Sequence, residues 1–317
     1  MRRVEYHLLP RCKWPLANDY QFRHEVAHII FTQRTIRSMN STLKIWTQLG
    51  LGTALAGGVL SACSDEVGGE GSGGEGAGTQ AVAPGEGAAA IGGSAAGGEG
   101  EGGVAVADAG HDPITYGIAL AVTEAHVVAA RDAYAAGEKQ AAAEMFAHPA
   151  AEVLVEMDPV FAQLGVADFK QLLTDASIAA YDGKSAAEVN KRYDAIIAAL
   201  RGAATKAPDN GASEAAVAAG VIADQIERAS AMYRISANDD RYEPYLDGYG
   251  FAKVAETAFA TSGAAIKADN PALHARITEA LAVLTQAYPT ATRPDALALN
   301  PGALSAASSK VLLALGS

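Results

Sequence analysis

Glu144, His148, Glu152 and Glu156 recur at every fourth residue in the middle of this chain. On an unbroken helix that spacing lines them up along one side. Imidazole nitrogen combined with carboxylate oxygen suits iron, zinc or manganese. His126, close to Glu124 on an earlier helical run, is a second imidazole that could share an ion with His148 or Glu152. The candidate metal ligands are therefore His126, His148, Glu144 and Glu152, for a divalent metal or iron. A simpler arrangement competes with this one. The apolar stripe of the second segment is Phe146, Ala150, Val153, Met157, Val160 and Leu164. Glu144 and His148 each stand two residues from Phe146, about 200° round a helix. The acidic row then faces water, unless Pro149, which removes a backbone hydrogen bond, re-aims the side chains before it. His126 lies beside the stripe Ile118, Val122, Ala125 and Ala129, where a partly buried, packed histidine is also expected.

The densest aromatic stretch runs from Tyr242 to Phe251. Tyr242, Tyr245, Asp247 and Tyr249 are candidates to line a pocket, where tyrosine faces and an acid would suit a cationic ligand. The alternative is a helix start whose rings wedge between neighbours. No glycine-rich phosphate loop follows a strand, and no Gly-x-Ser-x-Gly elbow or ordered Ser/His/Asp set is present. The chain does not read as a hydrolase or nucleotide-binding enzyme, and no catalytic residue is assigned. A metal-dependent hydrolase would require His126 or His148 for activity.

The elements that must position these residues are punctuated as helices. Asp112-Pro113 opens a run to Ala136 that stops at Gly137. Glu138 to Gln163 follows, interrupted by Pro149 and ended by Gly165. Ala167 to Tyr181 comes next. Ser185-Ala186-Ala187-Glu188 is a capping box opening a helix to about Thr205, and Ser213 opens another to about Ser236. Tyr242 to Thr261, Asn270-Pro271 to Tyr288 and Gly302 to Leu315 complete the series. Ile222, Ile226, Ala229 and Tyr233, spaced 4, 3 and 4, form one stripe, with Asp224 and Arg228 able to pair on its flank. The fold class expected for residues 105–317 is all-α, an alanine-rich bundle of about seven or eight helices.

Composition changes sharply before that domain. Val67 to Gly103 is almost wholly Gly, Ala, Glu and Ser without an aromatic residue. It cannot bury enough surface to offset its ordering entropy and is expected to be a flexible tether reaching about 30–35 Å. Upstream, Lys44 precedes a 16-residue run, Ile45 to Leu60, that is apolar and small and carries four glycines. A spanning helix needs about 20 apolar residues. A basic start, a short apolar run and small residues at its end make a secretory signal instead. Counted from Met39 the signal has an ordinary length, so residues 1–38 read as a start assigned too far upstream, with a translated basic presequence as the alternative.

Leu60-Ser61-Ala62-Cys63 at the end of that run resembles the lipobox of bacterial lipoproteins. The resemblance implies cleavage before Cys63, acylation of its thiol by chains such as palmitate, and anchorage in a lipid bilayer. Residues 39–62 are then the signal peptide and residues 63–104 the acylated cysteine with its linker. Ser64, where Asp would mark inner-membrane retention, resembles outer-membrane sorting toward the periplasm. The first 62 residues hold eight basic and three acidic side chains, so the chain's 24 and 36 become 16 and 33, a net of −17. That charge argues against nucleic acid, whose phosphates need Lys and Arg, and leaves anchoring to the lipid rather than to a basic face. With Cys12 upstream and Cys63 acylated, no disulfide is available, so burial must hold the domain together.

The alanine-rich helices, the histidine-bearing acidic segment and Tyr245-Leu246-Asp247-Gly248 are similar to imelysin-like and iron-permease leader domains, over scattered pieces of residues 112–260. Those families are helical and linked to iron uptake, which implies an iron role here. The sequence departs from them in two places. His148 to Glu152 is one residue longer than their His-x-x-Glu spacing, and Arg-Glu-x-x-Glu is absent. The expectation is a non-enzymatic, lipid-tethered extracytoplasmic protein that binds a cation. The alternative is an assembly lipoprotein whose helical face docks an envelope partner.

Overall fold

Helix α1 (Val106–Ala109) leads into α2 (Pro113–Ala135), the element around which the rest is arranged. The structure, a computed structural model, describes residues 103–316. The expectations for residues 1–38, for the signal at 39–62, for Cys63 and for the tether up to residue 102 lie outside the described residues. After α2 come α3 (Lys139–Glu152), α4 (Leu154–Leu164), α5 (Lys170–Tyr181), α6 (Ala186–Ala204), α7 (Glu214–Ser236), α8 (Glu243–Asp269), α9 (Pro271–Ala287) and α10 (Pro301–Leu315). All regular structure among the described residues is helical, so the fold is all-α as the punctuation predicts.

The caps explain why the helices begin where they do. The Asp112 carboxylate accepts from the backbone N–H of Ile114 and Thr115, and Pro113 fills the first helical position, where no N–H is needed. Ser185 Oγ accepts from Glu188 N–H at 3.2 Å, Ser213 Oγ from Ala216 N–H at 3.1 Å, and Asn270 Oδ1 from Leu273 N–H at 2.9 Å. Gly165 closes α4 in the left-handed region at φ 71°. Among the described residues the count is ten rather than seven or eight for two reasons. A short helix precedes α2, and the expected 138–163 helix breaks at Val153. Pro149 removes one hydrogen bond, but the chain re-enters the helix, with Val153 N–H reaching Pro149 O at 3.2 Å and Met157 N–H reaching Val153 O at 3.0 Å. The result is a joint rather than a stop. Helix α8 also runs well past Thr261, to Asp269, because nothing before Asn270 interrupts it.

Packing follows the apolar stripes. Helix α7 pairs most extensively with α8, and Ile222, Ile226, Ala229 and Tyr233 are all buried. Helix α3 packs on α2 and α5, α5 on α6, and α10 on α7 and α9. Helix α2 touches α3, α6, α7 and α8 and is buried through every residue from Ala119 to Ala130. It is long and apolar enough to cross a membrane, with mean hydropathy 1.3 in its apolar window, yet 72% of that window is buried by its neighbours. A helix apolar all round needs covering on every side, and here protein supplies the cover. Alanine and glycine at the contacts let the axes come close, which puts backbone and polar groups of adjacent helices within reach of each other.

Candidate functional site

His126 is fixed by its own helix. Its Nδ1 lies 2.8 Å from the Val122 carbonyl, one turn back. A carbonyl only accepts, so Nδ1 carries the proton and donates. Burial pushes the ring's pKa down to about 4, with the charges of His148 and Arg228 adding to the fall and the Val122 hydrogen bond opposing it. At neutral pH the ring is uncharged, and Nε2 presents a bare lone pair. That atom is buried, belongs to a residue only 1% exposed, and has no hydrogen-bond partner. Buried ring nitrogens left in this state are rare and call for an explanation such as a bound water or ion.

Four acidic or imidazole side chains surround it. Asp247 Oδ1 on α8 is 3.6 Å from Nε2. This is not an ion pair, because the imidazole is neutral, and it is too long for a hydrogen bond. On α3, the His148 ring centroid is 6.2 Å away. A donor atom of His126, one of His148 and one of Glu152 all lie within 4.8 Å of one another. Glu243, one turn before Asp247 on α8, approaches His148 Nε2 at 3.8 Å. His148 Nδ1 is buried without a hydrogen-bond partner. Glu152 is exposed as a residue, but its carboxyl turns toward the rings. Desolvation raises its pKa, His148 lowers it, and Glu243 raises it again. Phe251 closes one side, its ring perpendicular to that of His126 at 5.8 Å.

Close helix contact delivers Asp247. A Cβ on Gly250 would come within 2.3 Å of the Ala125 carbonyl oxygen, and one on Gly248 within 1.9 Å of Tyr288 Oη. Only glycine allows α8 so near α2, beside the residue preceding His126. The tyrosines of the same stretch do something different. Tyr242 Oη donates to Ala291 O at 2.5 Å, Tyr245 Oη to Thr290 O at 3.0 Å, and Tyr249 Oη to Asp132 at 2.8 Å. Tyr242, Tyr245 and Tyr249 share one helix face, and Asp247 stands about 200° from both Tyr245 and Tyr249. The expected pocket of three tyrosines and Asp247 is therefore not formed. The rings are packing wedges with their hydroxyls engaged, while Asp247 joins the histidines.

The expected ligand set is altered in one member. His126, His148 and Glu152 converge. Glu144 does not. It is half-buried and accepts from Gln140 Nε2 at 3.0 Å. A four-residue step advances about 40° round a helix, so Glu144 is about 80° from Glu152. The row spirals, and only its C-terminal end reaches α2. Nor is that end fully solvated. His148 adjoins buried Pro149 and Glu152 adjoins buried Val153, at the edge of a buried face wider than the stripe through Phe146. Glu124 points away from His126 and takes a bidentate pair from Arg201 at 2.7 and 2.5 Å. No protein-family model matches the chain, and neither the curated proteins nor the solved structures give a match.

Proposed function

We propose that the helical domain is a cation-binding module, carried outside the cytoplasm on a lipid attached to Cys63, and that it binds rather than transforms its ligand. The observation that carries this is the buried, partnerless Nε2 of His126, with its tautomer set by Val122 O. Hydrogen bonding from the second ring nitrogen to a carbonyl is how metal-ligating imidazoles are oriented. His148 and Glu152 bring the donors to three. Glu243 lies beside His148, 3.8 Å from its Nε2, and adds negative charge at the edge of this group. The lipobox, the acidic mature chain and the Gly-rich tether support an envelope location, with the outer membrane facing the periplasm as the compartment that Ser64 favours. Iron is one ion that the donor chemistry accepts.

The full chain, purified in detergent and washed with chelator, tests the binding. Thermal unfolding and titration calorimetry with Fe²⁺, Zn²⁺, Mn²⁺ and Ca²⁺ are expected to give stabilisation by at least one ion, about 2.7 kcal/mol at a hundred times its Kd. His126→Gln is expected to abolish it. If no cation stabilises the wild-type chain, the reading fails. The alternative of a scaffold docking an envelope partner has less to draw on. The large apolar side chains left exposed among the described residues are Val155, Ile178, Ile235, Leu312 and Leu313, and only Leu313 reaches 76%.

A further inference from the structure

We infer that the cation held here keeps a coordination position open to solvent, so that the module carries a second, exchangeable ligand on its ion: water at rest, and a small single-point donor such as a monovalent anion in its place. The inference deepens the cation-binding reading and rests on it. Among the described residues, His126, His148 and Glu152 form the group whose donor atoms come close enough together to share an ion. Asp247 and Glu243 each stand beside one imidazole, at 3.6 and 3.8 Å, but outside that trio. Two imidazoles and one carboxylate fill three positions. First-row divalent ions with nitrogen and oxygen donors take about four to six. Sites that close around an ion supply four protein ligands, whereas sites with three keep the remaining position for water or an incoming molecule.

The depth of the three donors says which way that position faces. His126 is 1% exposed, the His148 side chain 23%, and Glu152 is an exposed residue. His126 Nε2 and His148 Nδ1 are both buried without a hydrogen-bond partner, so the inner wall is imidazole and the outer wall carboxylate. Phe251 closes the inner side against the His126 ring. An ion joining these donors sits at the edge of the bundle, and the position the protein leaves free is on the Glu152 side, toward water. Donors each about 2.1 Å from one ion stand no more than about 4.2 Å apart. The trio, within 4.8 Å, therefore tightens on loading, and exposed Glu152 has room to move inward. Glu243, its side chain 40% exposed, puts negative charge at the same edge. That charge favours neutral and singly charged donors over polyanions such as phosphate.

Co²⁺ and Mn²⁺ are the probes, one for the incoming anion and one for water. Azide titrated into the Co²⁺-loaded full chain in detergent is expected to change the visible Co²⁺ bands saturably, with the ion still bound in equilibrium dialysis. Phosphate at the same concentration is expected to change them far less. The Mn²⁺-loaded chain is expected to enhance water-proton relaxation above that of free Mn²⁺, as an ion with an exchanging water does on a slowly tumbling protein. Glu152→Gln, at an exposed position, is expected to weaken Co²⁺ binding by more than about 10-fold, with melting in chelator as the folding check. Co²⁺ bands indifferent to azide, or a Mn²⁺-loaded chain without enhancement, would overturn the inference while leaving cation binding intact, and neither result requires a variant to fold. Phosphate acting as strongly as azide would overturn the ligand class. A Glu152→Gln chain that binds Co²⁺ as tightly as wild type would remove the three-donor set on which the open position is argued. A wild-type chain that takes up no cation would overturn the underlying reading, and the inference with it.

Discussion

At the scale of single residues, His126 carries the most consequence. A histidine whose folded pKa is about 4, against an ordinary value near 6.5, binds its proton less readily when folded. Above pH 6.5 both states are unprotonated there and the group costs nothing. As pH falls from 6.5 to 4 the unfolded chain takes up the proton first, so stability is lost across that window and levels off below it. The difference of about 2.5 pH units amounts to about 3 kcal/mol. Denaturant unfolding of the cation-free chain at pH 7 and pH 4 is expected to show that loss in wild type, and a loss smaller by about that amount in His126→Gln. Equal acid sensitivity in the two chains would contradict a neutral, buried His126. The sequence pointed to His126, His148 and Glu152 through residue type and spacing. It put Asp247 with the tyrosines because these share a stretch of chain, and only the 100° step of a helix separates their faces. It counted Glu144 because a four-residue repeat looks straight when written out but spirals in space.

At the scale of elements, the α2–α8 crossing decides whether the site exists. Gly250 lies against the Ala125 carbonyl, where an added methyl has no flexible neighbour to displace. Gly250→Ala is expected to cost about 1–3 kcal/mol by overpacking and to weaken cation binding by pushing on the Ala125 backbone, next to His126. Unfolding midpoints together with calorimetry test both effects. A Gly250→Ala chain with wild-type stability and affinity would mean that the close approach is incidental. Helix α2's own start is a separate, local matter. Asp112→Ala removes acceptors from Ile114 and Thr115 and is expected to cost about 1 kcal/mol with no effect on cation affinity. The starts were legible because caps are written in adjacent residues: Asp112-Pro113, Ser185, Ser213 and Asn270 all open helices as read. The joint at Val153 was not. Pro149 announces a disturbance, but whether the chain stops, kinks or resumes depends on what α3 and α4 pack against.

At the scale of the whole molecule, an all-α bundle was readable because alanine, periodic apolar stripes and frequent caps act locally and agree with each other. Which helices meet was not readable: α3 follows α2 directly, but α8 comes after four intervening helices and is brought to them by packing rather than by proximity in the chain. Location is a separate question, decided upstream of the bundle. Mass spectrometry of the protein extracted from its host membrane is expected to find a chain beginning at acylated Cys63, with the tether intact. Retention of residues 1–62, or a free thiol at Cys63, would remove the case for the envelope without touching the site. The site itself is tested most directly by X-ray absorption at the metal edge of the Zn²⁺-loaded full chain. Imidazole nitrogen from His126 and His148 and carboxylate oxygen from Glu152, at about 2.0–2.1 Å, are expected. A shell of oxygen alone, with no imidazole scattering, would contradict the account.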